Sequence, residues 1–239
     1  MAHAIPGRRP VAEALRARRP LLEVVLAGSQ GALGRLAEQA RAASVPVRFA
    51  SASQIDGVAR GVAHQGAVAV APPFPYVPLA ELAVSDLLVV CDGITDPQNV
   101  GAIARSAELA GAAGIVLRER RSAHVTPAAE KVSAGALSWL RVALVPNIVR
   151  ALGDLRTGGI WSVGLDARGS TDVWACRLLG ERVAIVVGGE GAGLSRLVAE
   201  RVDELVAIPT SGRLESLNAS AAATVTLFEV ARRRAERGG

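Results

Sequence analysis

Residues 183–193 read Val183-Ala184-Ile185-Val186-Val187-Gly188-Gly189-Glu190-Gly191-Ala192-Gly193. The unbroken apolar run, mostly β-branched, predicts a strand buried on both faces, as in a parallel sheet covered by helices. The glycines that follow allow a sharp turn and let the backbone approach a ligand without intervening side chains. In sheets of this kind ligands bind beyond the carboxyl ends of the strands. Taken alone, the turn suits a ligand loop or a plain strand–helix connection equally. Gly189-x-Gly191-x-Gly193 departs from a dinucleotide fingerprint in spacing and comes late in the chain, and no Walker lysine follows it.

Outward from this strand the pattern repeats. Strands are predicted at Leu87–Cys91, Ile115–Leu117, Leu144–Val145, Ile160–Leu165 and Leu205–Ile208. Helices are predicted at Val100–Ala112, Pro127–Leu137, Ile148–Leu155, Leu194–Glu200 and Ser216–Arg233. Alternation of this kind defines an α/β domain with a mostly parallel sheet over residues 87–239. Upstream, Leu21–Ala27, Val45–Phe49 and Gly66–Ala71 read as strands, and Val11–Leu15, Ala32–Ala43 and Ser53–Arg60 as helices. These form a small α/β module over residues 1–71. Between them, residues 72–86 begin with four prolines in seven residues and predict an extended, stiff linker.

The net charge of +5 is unevenly placed. Residues 1–75 hold nine arginines against Glu13, Glu23, Glu38 and Asp56, and the rest of the chain is balanced. A basic module joined to a neutral one suggests polyanion capture by the first and chemistry in the second. An Arg-rich solvated surface without a partner would show the same excess. Lys131 is the only lysine, which fits phosphate recognition by arginine and fits equally an arginine-favouring codon bias. Cys91 and Cys176 form no framework, and His3, His64 and His124 have no ligand spacing, so no metal is expected. The start of the chain lacks an apolar signal core, and no run of about 18 apolar residues exists. A cytoplasmic protein without a membrane partner is the expectation.

Three strand-end segments carry the candidate chemistry. They are Asp92-Gly93-Ile94-Thr95-Asp96-Pro97-Gln98-Asn99-Val100-Gly101 with Arg105, the turn at 188–193, and Ile208-Pro209-Thr210-Ser211-Gly212-Arg213-Leu214-Glu215-Ser216-Leu217-Asn218. Singly, Arg105 reads as a surface arginine and Ser216 as a helix cap. In this order they closely resemble the three signature motifs of the SpoU (TrmH-like) RNA 2′-O-ribose methyltransferases of the SPOUT superfamily. The resemblance rests on Asp-Pro-x-Asn-x-Gly and the following arginine, on the glycine turn with Glu190, and on Ile-Pro followed by Ser-Leu-Asn-x-Ser. Upstream, Gly7 with Val11-Ala12-Glu13-Ala14-Leu15, and His64-Gln65-Gly66, resemble the ribosomal-protein-like RNA-binding domain of one branch, that of the bacterial 23S rRNA guanosine-2′-O-methyltransferases.

The resemblance implies a trefoil-knotted catalytic domain, a homodimer and S-adenosylmethionine as cofactor, held by Gly188, Gly189, Gly191, Ile208, Pro209 and Leu217. It implies methyl transfer to a ribose 2′-hydroxyl in RNA, with Arg105 at the nucleophile and Asn99, Glu190, Ser216 and Asn218 fixing Arg105 and the ribose. Arginine's high pKa argues against simple base chemistry. Arg105 then either holds a phosphate and stabilises developing alkoxide charge, or passes the proton on through phosphate or water. A tRNA enzyme of the same superfamily, an antibiotic-resistance rRNA methyltransferase, and an RNA-binding assembly factor without catalysis remain as alternatives. An NAD-dependent dehydrogenase is the weakest of the rivals.

Overall fold

The computed structural model describes residues 2–213 and 216–237. They form two compact units, one comprising the residues up to Pro75 together with Val125–Trp139, the other Tyr76–His124 and the residues from Leu140 onward.

In the first unit β1 (His3–Pro6), α1 (Arg8–Arg16), β2 (Glu23–Leu26), α2 (Gly31–Ala42), β3 (Val47–Phe49), α3 (Ala52–Ala59) and β4 (Ala67–Ala71) follow one another. The sheet order is β1-β4-β2-β3, antiparallel except for the parallel β2–β3 pair. Strand β1 was not foreseen, because four residues ending in proline show too little alternation to reveal an edge strand. Val11, Ala14, Leu15, Leu36, Ala37 and Ala40 give α1 and α2 one apolar face each and bury it against the sheet. Ile55 and Ala59 of α3 bury in a second cluster with Ala4, Val25 and Val68. Ser51 and Gln54 start α3 with a reciprocal capping box.

Residues 125–139 complete this unit. The expected helix Pro127–Leu137 is shorter, α5 (Pro127–Val132), followed by a single 3-10 turn. Ala134 (φ 53°) and Gly135 (φ 102°) are left-handed, which stops the helix. Glu130 is fully buried, accepting from Arg19 Nη1 at 2.7 Å and lying 2.8 Å from His3 Nε2. Removing the charged partner of a buried carboxylate costs about 3–5 kcal/mol, so the Arg19 ion pair ties the segment firmly to the chain just after α1.

The second unit contains β5 (Leu87–Asp92), α4 (Pro97–Leu109), β6 (Gly114–Arg118), β7 (Arg141–Val145), α6 (Ile148–Thr157), β8 (Trp161–Leu165), β9 (Thr171–Asp172), β10 (Val183–Gly188), α7 (Arg196–Ala199), β11 (Glu204–Ala207) and α8 (Ala219–Arg237). The strands form one sheet in the order β7-β6-β5-β10-β8-β11-β9, with every pairing parallel. β5 and β10 lie side by side and are buried at every residue. Each large aliphatic side chain there contributes about 1.5–3 kcal/mol. Two helices start later than their apolar patterns suggest: α7 at Arg196 and not Leu194, and α8 at Ala219 and not Ser216. Leu194 and Val198 instead serve the core, both buried in one cluster with Val186. Residues following the proline stretch join this unit: Val77 N donates to Val142 O at 2.9 Å, and Leu82 is fully buried. Among the described residues no helix is long and apolar enough to cross a membrane.

Candidate active site

The carboxyl ends of β5 and β10 lie together, since Gly188 pairs with Asp92 in register. Asp96 caps α4 by accepting from Gln98 N at 2.8 Å, and Pro97 sits in the first turn. That fixes the start of α4 and turns Asn99 inward, where it is 6% exposed. From β10 the chain makes a closed turn in which Gly193 N donates to Gly189 O at 3.0 Å. Gly188 has no room for a side chain, because a Cβ there would lie 2.1 Å from the Gly193 carbonyl carbon. Gly191 (φ 76°) and Gly193 (φ 65°) occupy backbone regions that favour glycine. Buried Asp92 accepts from Ser195 N at 2.7 Å and holds the far side of the turn.

This turn presents Glu190 to the other two segments. Asn99 Nδ2 donates to Glu190 Oε1 at 2.7 Å, and Asn218 Nδ2 donates to the same oxygen at 2.6 Å. Asn218 Nδ2 also lies 3.3 Å from Asn99 Oδ1. The other end of Asn218 is equally fixed, since Oδ1 accepts from Ser220 N at 2.9 Å and Ser220 Oγ at 2.6 Å. Asn218, rather than Ser216, therefore caps α8. Glu190 Oε2 keeps no protein partner among the described residues, and Glu190 lines a cleft of roughly 930 Å³, a size suited to a small-molecule cofactor.

Gly188, Gly189, Gly191, Ile208, Ser216, Leu217, Glu190 and Asn218 line this cleft, whereas Pro209 is exposed beside it and Asn99 stands behind Glu190. Arg105 is exposed on α4, outside the cleft lining, and makes no hydrogen bond or ion pair among the described residues. Leu214 and Glu215 lie outside the described residues. The cleft also takes Thr210 of the third motif segment, and Asp166 and Arg168, which the motif reading missed. Asp166 accepts from Arg168 Nε and Nη2 at 3.2 Å each, and this hydrogen bonding holds its carboxyl below the ordinary aspartate value. The available signal was an Asp at a strand end, but only the sheet order, with β8 beside β10, makes it part of the site.

The geometry is a cleft of cofactor size with many bare backbone groups in its walls and one carboxylate held by two amides. Apolar Leu165, Val187 and Val206 add flat contact surface. Among the described residues no three His, Cys, Asp or Glu side chains are grouped to hold a metal ion.

Comparison with known proteins places this geometry in context. A model described as the SpoU rRNA Methylase family matches residues 86–228, and one described as RNA 2'-O ribose methyltransferase substrate binding matches residues 4–77. A Mycobacterium sp. (strain KMS) protein named an uncharacterized tRNA/rRNA methyltransferase is 42% identical over 238 positions, 95% of this chain and 76% of the relative. The crystal structure of the SpoU methyltransferase AviRb from Streptomyces viridochromogenes superimposes with a TM-score of 0.83 at 28% identity, covering 99% of this chain and 91% of that one. The same enzyme in complex with the cofactor AdoMet gives 0.81 at 27% identity, covering 98% and 91%.

Proposed function

The chain belongs to the SpoU rRNA methylase family, and from that premise we propose that it transfers a methyl group from S-adenosylmethionine to the 2′-hydroxyl of one guanosine ribose in 23S ribosomal RNA. That it is an RNA methyltransferase using S-adenosylmethionine follows from the family and from the relatives. The observation that carries the finer reading is the Asn99–Glu190–Asn218 triangle, which joins the three motif segments at the mouth of the cleft.

The cleft fits the cofactor. Gly188, Gly189 and Gly191 leave backbone amides and carbonyls bare, Ile208 and Leu217 offer apolar contact to the adenine, and Pro209 stiffens the rim. Bound there, S-adenosylmethionine supplies an electrophilic methyl group on a sulfonium. The chain's task is to orient the ribose and stabilise charge on its oxygen. Glu190 is held ready to accept from a ribose hydroxyl through Oε2, and Ser216 adds a second polar contact. The family's knotted threading of the C-terminal segment belongs to the same reading.

Arg105 requires a second copy. The contacts Asn99–Asn218 and Ser106–Thr224 (2.7 Å) advance together, so Leu109 and Phe228 come next along the two helices. Both are exposed, at 62% and 46%, and Arg105 lies one turn before Leu109. A homodimer formed on this apolar face covers it and carries Arg105 to the partner's cleft, where it stabilises the developing alkoxide. The basic first unit grips RNA through phosphates, and the protein works in the cytoplasm.

The test is methyl transfer from labelled S-adenosylmethionine to unmodified 23S rRNA and to tRNA, side by side, with products mapped by resistance to alkaline cleavage. One protected guanosine in 23S rRNA is expected. Label in tRNA alone would overturn the substrate, and label on a base would overturn the 2′-hydroxyl.

A further inference from the structure

The first unit holds a polar cluster that the methyl-transfer site does not use. Gln65 stands in the left-handed region at φ 54° and offers both of its carbonyls to cations. Its main-chain oxygen accepts from Arg8 Nε at 2.8 Å, and its side-chain Oε1 accepts from Lys131 Nζ at 3.1 Å. One neutral residue thus draws two positive charges together. Lys131 reaches this place only across Gly7, where a Cβ would lie 2.7 Å from Nζ. Gly7 (φ 113°) is in turn fixed by donating to Ala67 O at 2.8 Å.

Neither cation is neutralised. Among the described residues neither Arg8 nor Lys131 has an ion pair with an acid. The nearby carboxylates are committed elsewhere, Glu13 to Arg16 and Trp139, and Glu130 to His3 and Arg19. Desolvation and then the Arg8 charge hold the Lys131 ammonium below the ordinary lysine value. Lys131 still has two N–H groups to give, and Arg8 both of its terminal amines. They stand at the start of α1, which has no side-chain cap. Two like charges gathered by a neutral acceptor cost Coulomb energy that an anion between them would reverse.

We propose that Arg8, Gln65 and Lys131 form a seat for one backbone phosphate of the RNA substrate. The proposal rests on the RNA methyltransferase reading and adds to it the place where the first unit holds the strand. Gln65 orients the two donors from either side, and Gly7 keeps the space between them open.

The single lysine makes a direct test available. An amine-acylating reagent has one side-chain target in this chain, and mass spectrometry reads its rate at Lys131. Saturating 23S rRNA transcript, with occupancy established by filter binding, is expected to slow that rate at least tenfold, and inorganic phosphate at equal phosphate concentration to leave it unchanged. An unchanged rate with RNA bound overturns the seat, and equal protection by inorganic phosphate overturns its assignment to RNA. Independently, Lys131→Met should flatten the dependence of log affinity on log salt by about 0.7–0.9, one phosphate contact, while Lys131→Arg retains the slope. Equal slopes for Lys131→Met and the unaltered chain also overturn it. RNA that is bound and methylated while Lys131 stays fully reactive sinks the seat alone. A chain that binds S-adenosylmethionine but neither binds nor methylates RNA sinks the proposed function and the seat together.

Discussion

The side-chain amides of Asn99 and Asn218 meet at 3.3 Å although 119 residues separate them in the chain. Each also donates to one oxygen of Glu190, so a carboxylate at the cleft is oriented by two neutral donors. This arrangement orients the acceptor with neutral donors alone.

Replacing Glu190 by alanine leaves both amides without their shared acceptor. Hydrogen bonds to a charged group contribute about 1.5–3 kcal/mol, so one such bond lost from the transition state corresponds to a tenfold to hundredfold fall in kcat/KM. Steady-state methyl transfer should show at least this loss for Glu190→Ala and a smaller one for Glu190→Gln, which keeps Oε1 as acceptor. Unchanged kcat/KM in Glu190→Ala would remove the triangle from the mechanism.

Gly188 and Gly153 make a contrasting pair. A methyl group at 188 overlaps the Gly193 backbone, whereas at 153, in an exposed turn of α6, nothing lies within 4 Å. Gly188→Ala is expected to lower the melting temperature, with overpacking costs of about 1–3 kcal/mol or more, and to abolish S-adenosylmethionine binding by calorimetry. Gly153→Ala should gain roughly 0.8–1.0 kcal/mol from helix propensity and leave cofactor affinity unaltered.

Arg105 can be tested by mixing subunits. Arg105→Ala alone should lose at least about a hundredfold in kcat, the scale for removing a donor to developing negative charge. If Arg105 serves the partner's cleft, a heterodimer of Arg105→Ala and Glu190→Ala chains contains one intact site and recovers activity. Absence of recovery, in a mixture shown to exchange subunits, would place Arg105 in its own chain's cleft. Phe228→Glu should yield monomers by light scattering.

Glu229 links stability to acid pH. Its hydrogen bonds with Arg232 foremost, and then Arg233, hold the carboxyl down at about 2, against an ordinary value of 4.5. A depressed folded-state pKa contributes stability that is complete above the unfolded value and lost as pH falls towards the folded one. The difference in melting temperature between the unaltered chain and Glu229→Gln should therefore be constant above about pH 5 and shrink between about 4.5 and 2. A difference that stays constant down to pH 2.5 would refute the linkage. Arg233 also reaches the main-chain oxygen of Trp174 at 2.7 Å, so the loss should loosen α8 from residues 173–176.

Removing residues 1–75 is a poor test of the basic module. The deletion would strip residues 125–139 of the unit they pack in, with Glu130 losing both His3 and Arg19. Substitutions at Arg8 and Lys131 address RNA binding without that cost.

Apolar runs were enough to read every strand of the second unit except β9, because a strand covered on both faces admits only apolar residues, whereas the two polar residues Thr171 and Asp172 carry no such signal. The three motifs were legible for a related reason, since polar and glycine residues directly after such strands mark the sheet's carboxyl edge. The ends of helices were not legible. Asn218 rather than Ser216 caps α8 because its amide is anchored at both ends, to Glu190 on one side and Ser220 on the other, a fact of packing. The place of residues 125–139 also escaped the sequence, since the partners of Glu130 lie 111 and 127 positions away. Local solvent preference and backbone freedom marked the apolar strands and the side chains that carry polar chemistry, but not the short edge strands β1 and β9. Which of them meet is a property of the folded chain: β8 brings Asp166 to the cleft, Arg105 stays outside the cleft lining, and Lys131 lies over Gly7. Such pairings depend on strand order and chain crossing, which no local preference encodes.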